Sequence, residues 1–142
     1  MVISSHKDLF FIVVLLKENI LMKKILIVDD SLMMRNMIRN ILEKAGYNVI
    51  AEAQNGVEAI QKYKLTKPDL VTMDLTMPEM NGIQALSALK KIDKNARVVM
   101  LTALGQREMV IDAISLGAKD FIVKPFEAEK LITSIKKGLN GA

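Results

Sequence analysis

Four short stretches of almost unbroken apolar residues dictate what this chain can become: Ile25-Leu26-Ile27-Val28, Leu70-Val71-Thr72-Met73, Val98-Val99-Met100-Leu101 and Phe121-Ile122-Val123. Strands covered on both faces read this way, whereas a strand with one wet face alternates. Asn48-Val49-Ile50-Ala51-Glu52 does alternate and is expected at a sheet edge. Helical patterns fill the intervals. Ser31 is placed to cap a helix carrying Met34, Ile38, Ile41, Leu42 and Ala45 on one face, with Gly46 as its stop. Asn55 and Glu58 resemble a capping box for a helix running through Ile60 and Tyr63 to an exit at Pro68. Further helices are expected at about Gly82 to Ile92, Arg107 to Leu116 and Ala128 to Lys137.

Five alternations of strand and helix specify a parallel sheet with right-handed crossovers and helices on both faces. The expected fold is doubly wound α/β with strand order 2-1-3-4-5, the flavodoxin-like order, which sets the first and third strands side by side where ligands bind. With 142 residues, 51% of them apolar, the chain fits one domain with one sizeable core.

The run Leu9 to Leu16 is apolar throughout but falls well short of the ~20 residues that cross a bilayer, and no small-residue cleavage site follows it. Neither membrane insertion nor secretion is expected. Residues 1–21 read as an extension preceding a domain that spans 22–142, or else as an extra element packed on it. A net charge of +4 spread along the chain, with 4% aromatic residues, gives no sign of nucleic-acid binding. The absence of cysteine excludes disulfides and thiol chemistry and suits a cytoplasmic protein, so any metal here is held by oxygen.

The chemistry lies at the strand ends. Strand one is followed by Asp29 and Asp30, strand three ends at Asp74, strand four at Thr102 and strand five runs into Lys124. In a parallel sheet these converge on one edge, with neighbouring strands ~4.8 Å apart. A lone Asp at a strand end is ordinarily a turn or cap residue, and a lone Thr closes a strand as a β-branched residue. Phe121 defaults to the core, and Met33, Met34, Met37, Met100 and Met109 to gap-filling. The acids together carry a different message, because like charges 4 Å apart repel by ~4 kcal/mol at an effective dielectric of 20. A hard divalent cation offsets this, and Mg²⁺ suits the sparse oxygen set better than Ca²⁺. Beside such a metal and the Lys124 ammonium, Asp74 becomes a candidate nucleophile toward phosphorus, with Thr102 able to donate to a phosphoryl oxygen. No P-loop occurs and the only histidine, His6, lies in the extension, so the phosphoryl donor is external.

These residues carry a resemblance. Ile25-Leu26-Ile27-Val28-Asp29-Asp30-Ser31, Met73-Asp74-Leu75-Thr76-Met77-Pro78-Glu79-Met80-Asn81-Gly82, Leu101-Thr102-Ala103 and Asp120-Phe121-Ile122-Val123-Lys124-Pro125-Phe126 resemble the receiver domain of two-component response regulators. The likeness covers about Lys24 to Lys137, and Leu104-Gly105-Gln106 with Met109-Val110 is similar to the stand-alone chemotaxis members. It implies that Asp74 accepts a phosphoryl group from a histidine kinase. Asp30, Asp74 and the Thr76 backbone carbonyl would hold Mg²⁺, with Asp29 acting through water. Lys124 would contact the phosphoryl group, and Thr102 and Phe121 would form a switch that alters the face of the domain's fourth helix, fifth strand and fifth helix. The implied partners are a kinase, a flagellar motor switch protein and a phosphatase. Thr76 stands where asparagine is common, and Phe121 where some members carry tyrosine.

Rival readings are weaker. An aspartyl-phosphate phosphatase wants a second acid two residues after its nucleophile, where Thr76 stands. A flavin carrier needs a phosphate-welcoming loop after strand one, where Asp29 and Asp30 repel phosphate. A transcription factor needs an output domain after Lys137, and a phosphorelay intermediate and a regulator of another pathway are the remaining alternatives. The expectation is a signalling module, not an enzyme beyond its own phosphorylation and slow dephosphorylation.

Overall fold

The computed structural model describes residues 5–21 and 23–140. The expected boundary at Met22, the first four residues and the last two lie outside the described residues. The elements run α1 (His6–Leu21), β1 (Lys24–Val28), α2 (Leu32–Lys44), β2 (Asn48–Ala53), α3 (Gly56–Thr66), β3 (Leu70–Asp74), α4 (Gly82–Ile92), β4 (Val98–Thr102), α5 (Arg107–Ser115), β5 (Asp120–Val123) and α6 (Ala128–Asn140). All strand pairs are parallel, in the order β2-β1-β3-β4-β5. This is the expected fold.

The apolar runs have a direct cause in the two cores. Leu26, Val28, Val71, Met73, Val98 and Met100 pack toward α3, α4 and α5, in a cluster with Ala59, Leu86, Leu89 and Ala113. The intervening Ile25, Ile27, Leu70, Val99 and Leu101 pack toward α2 and α6, with Ile38, Leu42, Leu131 and Ile135. Each large side chain buried in this way contributes about 2 kcal/mol. Polar residues in the three central strands would face one core or the other, so they are nearly absent.

Helix ends follow local chemistry. Ser31 caps α2 by accepting from Met34 N–H at 3.2 Å, and Gly46, at φ 93°, turns the chain away from it. Asn55 caps α3 through Glu58 N–H at 2.8 Å, but the Glu58 carboxylate is met by the Asn55 side-chain amide, so the reciprocal backbone half of the expected box is missing. The complete box lies at α4, where Asn81 and Gln84 bond each other's backbone N–H at 2.9 and 3.0 Å.

Two expectations from the apolar runs need correction. β5 is an edge strand: only Ile122 is buried, while Phe121 and Val123 are exposed. Phe121 is therefore not a core residue. The nine-residue α5 packs on β4 and α4 and leaves this side of β5 open. Met33 and Met37 are likewise exposed, whereas Met73 and Met100 are core. The apolar run near the amino terminus is helical, and Leu9, Phe10, Phe11, Val13 and Leu16 are exposed on α1. No described helix is long and apolar enough to cross a membrane.

Candidate functional site

Parallel pairing brings the carboxyl ends of β1, β3, β4 and β5 to one edge, and the residues after them meet there. Asp29, immediately after β1, is 1% exposed. Its N–H donates to Ala53 O at 3.1 Å, continuing the β1–β2 ladder, and its Oδ1 accepts from Ser31 N–H at 2.9 Å. Arg35 braces this turn by donating from its guanidinium to Asp29 O at 2.7 Å while its Nε bonds Glu52 Oε1 at 3.0 Å.

Asp74 is the last residue of β3, opposite Leu101, and 7% exposed. The loop after it turns back sharply, with Gly82 N–H donating to Leu75 O at 2.8 Å. A Cβ on Gly82 would lie 2.3 Å from Asp74 O and 2.8 Å from Leu75 Cα, so only glycine permits this approach. Lys124 emerges from β5, its N–H bonded to Thr102 O at 2.7 Å, and its peptide bond to Pro125 is cis. The ammonium reaches both acids, 2.8 Å from Asp29 Oδ2 and 3.3 Å from Asp74 Oδ1.

Asp29 and Asp74 share this ammonium, and Asp30 lies beside them. Asp29, Asp30 and Asp74 each offer an oxygen, and these oxygens lie within 4.8 Å of one another, with Asp30 exposed and the other two buried. Burial, followed by the charge of Asp29, pushes the Asp74 carboxyl up to about 6 despite the opposing pull of Lys124 and of Thr76 N–H. Burial alone would lower the Lys124 ammonium, but its bond to Asp29 and the charge of Asp74 outweigh this and raise it. With all groups ionised the cluster carries two uncompensated negative charges. An all-oxygen, acid-rich donor set of this kind fits a hard cation such as Mg²⁺.

Thr102 and Thr76 flank the acids. Thr76 N–H points at Asp74 Oδ1 at 3.5 Å, and the Thr76 hydroxyl accepts from Gln106 Nε2. Thr102, 1% exposed, turns its hydroxyl to Gln106 Oε1 at 2.7 Å and to Ala103 O at 3.1 Å. Phe121 stands apart from the acids. Its exposed ring borders an open cleft with Thr102, Leu104, Gln106, Val110 and Val123. Sequence reasoning placed Asp29, Asp30, Asp74, Thr102 and Lys124 at this edge, and they meet there. It gave no part to Arg35, and Gln106 figured only in the likeness to the chemotaxis members, with no role at the site.

This fold and edge define a class of protein. Residues 25–136 match the response regulator receiver domain, and the chain belongs to that family. Within it, the chain is similar to several chemotaxis proteins. The chain is 60% identical over 117 residues to chemotaxis protein CheY of Bacillus subtilis strain 168, covering 82% of this chain and 98% of the relative. It is 56% identical over 115 residues to chemotaxis protein CheY of Thermotoga maritima, covering 81% and 96%. Among solved structures, a CheX–CheY–BeF3–Mg complex from Borrelia burgdorferi superimposes with a TM-score of 0.76 at 44% identity, over 79% of this chain and 85% of that one. The chain is thus a receiver-type signalling module closely related to CheY.

Proposed function

We propose that this protein is a phosphorylation-activated response regulator of chemotaxis whose acceptor is Asp74. The observation that carries the reading is the bridge made by Lys124 between Asp29 and Asp74, within a set of three carboxylates that still lacks positive charge. A structural ion pair needs one acid for one lysine. An excess of acid around a buried carboxylate suits a nucleophile that works beside a metal.

In the reaction, an Asp74 oxygen attacks the phosphorus of a kinase phosphohistidine. The new O–P bond forms as the P–N bond breaks, the electron pair stays on the imidazole nitrogen, and that nitrogen takes a proton. Asp30, Asp74 and the Thr76 carbonyl would hold Mg²⁺, with Asp29 acting through water, and the ion would supply positive charge against the phosphoryl oxygens. Lys124 begins on Asp29 and Asp74 and then pairs with a phosphoryl oxygen as the charge on the acceptor grows. Thr102 offers its hydroxyl from the neighbouring strand end, and Phe121, exposed beside it, is the ring free to turn inward.

Partners then read the face of α5, β5 and α6. The open apolar surface around Leu104, Ile111, Phe121 and Val123 favours this face. The similarity to CheY favours a flagellar motor switch protein as the reader, and the Borrelia CheY that superimposes is in complex with CheX, which favours a separate phosphatase. Incubation with acetyl phosphate and Mg²⁺ should add one phosphoryl group to the wild type and none to Asp74→Asn, as read by intact mass. Equal modification of both proteins would overturn the assignment. The phosphorylated form should bind a flagellar motor switch protein more tightly than the free form, and equal binding would remove the chemotaxis reading.

A further inference from the structure

Gln106 is the N-cap residue of α5, yet its side chain makes no capping bond to that helix. It reaches back into the site. Its Oε1 accepts from the Thr102 hydroxyl and from Ala103 N–H, both at 2.7 Å, and its Nε2 donates to the Thr76 hydroxyl. The orientation of the carboxamide is fixed by chemistry, since a backbone N–H only donates and must face the oxygen. One side chain thereby ties the loop after β3 to the loop after β4, beside Asp74.

We propose that Gln106 is a positioning residue that stands in for the phosphoryl group: its amide oxygen occupies the Thr102 hydroxyl and Ala103 N–H, and phosphorylation of Asp74 displaces it. This rests on Asp74 being the acceptor. The Thr102 hydroxyl and Ala103 N–H are adjacent donors at the end of the strand next to Asp74. An amide oxygen with two lone pairs satisfies both donors while the acceptor is bare. A phosphoryl oxygen carries charge and is the stronger acceptor, so it wins the exchange. Displacement frees Thr102 to move toward Asp74, releases Thr76, and lets the start of α5 change its path. Gln106 therefore sets how strongly the site must bind a phosphoryl group before the α5 end responds.

The test uses the full chain and beryllium fluoride with Mg²⁺ as a non-hydrolysable phosphoryl probe, with binding measured by calorimetry. Removing the competitor should tighten binding by about threefold to tenfold in Gln106→Ala, the worth of a typical net hydrogen bond. Gln106→Asn, one methylene too short to reach all three partners, should behave like the alanine variant. Equal or weaker binding by both variants would overturn the proposal. The Ala103 amide proton should also move upfield in ligand-free Gln106→Ala, and an unmoved resonance would overturn it too. A wild type that does not bind the probe at all would refute the Asp74 reading itself, and with it this inference.

Discussion

Replacing Asp74 by asparagine should stabilise the metal-free protein, and by an amount that depends on pH. The Asp74 carboxyl titrates at about 6 in the folded chain against an ordinary value of 3.8. The folded state thus prefers the protonated form. Stability from that preference is fully present below pH 3.8 and is lost as pH rises through 6. A displacement of about two pH units corresponds to about 3 kcal/mol. Asparagine keeps the shape and removes the ionisation, while Lys124 retains Asp29. Asp74→Asn should therefore exceed wild type by up to about 3 kcal/mol at pH 8 in a chelator, and by roughly half of that at pH 5. Urea unfolding at the two pH values measures both. Saturating Mg²⁺ at pH 8 should narrow the gap by stabilising the wild type, by about 2.7 kcal/mol at a hundredfold excess over Kd. Asp30→Ala should lose that Mg²⁺ response. A variant no more stable than wild type at pH 8, or a gain unchanged at pH 5, would refute the reasoning.

Three further outcomes follow from other parts of the structure. Lys124→Met leaves Asp29 buried beside Asp74 with no cation, and should cost about 3 kcal/mol at pH 8 without metal, as seen in chemical denaturation. Adding Mg²⁺ should recover part of the loss. Gly82→Ala forces a methyl group into the Asp74 and Leu75 backbone, and should lower stability by about 2 kcal/mol or more in urea while also slowing phosphorylation from acetyl phosphate. Removal of residues 1–21, which we propose are an extension of a domain spanning 22–142, should leave the urea midpoint and the acetyl phosphate reaction unchanged. A midpoint lowered by the truncation would instead make α1 part of the fold.

The sheet order and the acidic edge were legible in the sequence because both follow from strong local rules. Ile25 to Val28, Leu70 to Met73 and Val98 to Leu101 alternate between two cores, so their apolar runs announce parallel central strands, and the residues after them must share an edge. β5 obeyed a different rule. Phe121 and Val123 are apolar and exposed, and nothing in a four-residue run distinguishes a face awaiting a partner from a face already covered. The box at Asn81 and Gln84 was overshadowed by the motif around it, while Asn55 and Glu58 matched the pattern and used it only in part. Arg35 and Gln106 were illegible for a third reason. Their roles come from side chains reaching across loops, Arg35 to Asp29 and Glu52 and Gln106 to Thr102, Ala103 and Thr76, and such a reach leaves no periodic trace.

The most direct measurement locates the phosphoryl group chemically. After reaction with acetyl phosphate and Mg²⁺, borohydride reduces an aspartyl phosphate to homoserine, and peptide mass spectrometry reads which position changed. The proposed role of Asp74 as acceptor beside Lys124 and the other two acids predicts conversion at Asp74 alone, abolished by chelation of Mg²⁺. Conversion at Asp29 or Asp30, or at Asp74 with equal yield in a chelator, would contradict the account.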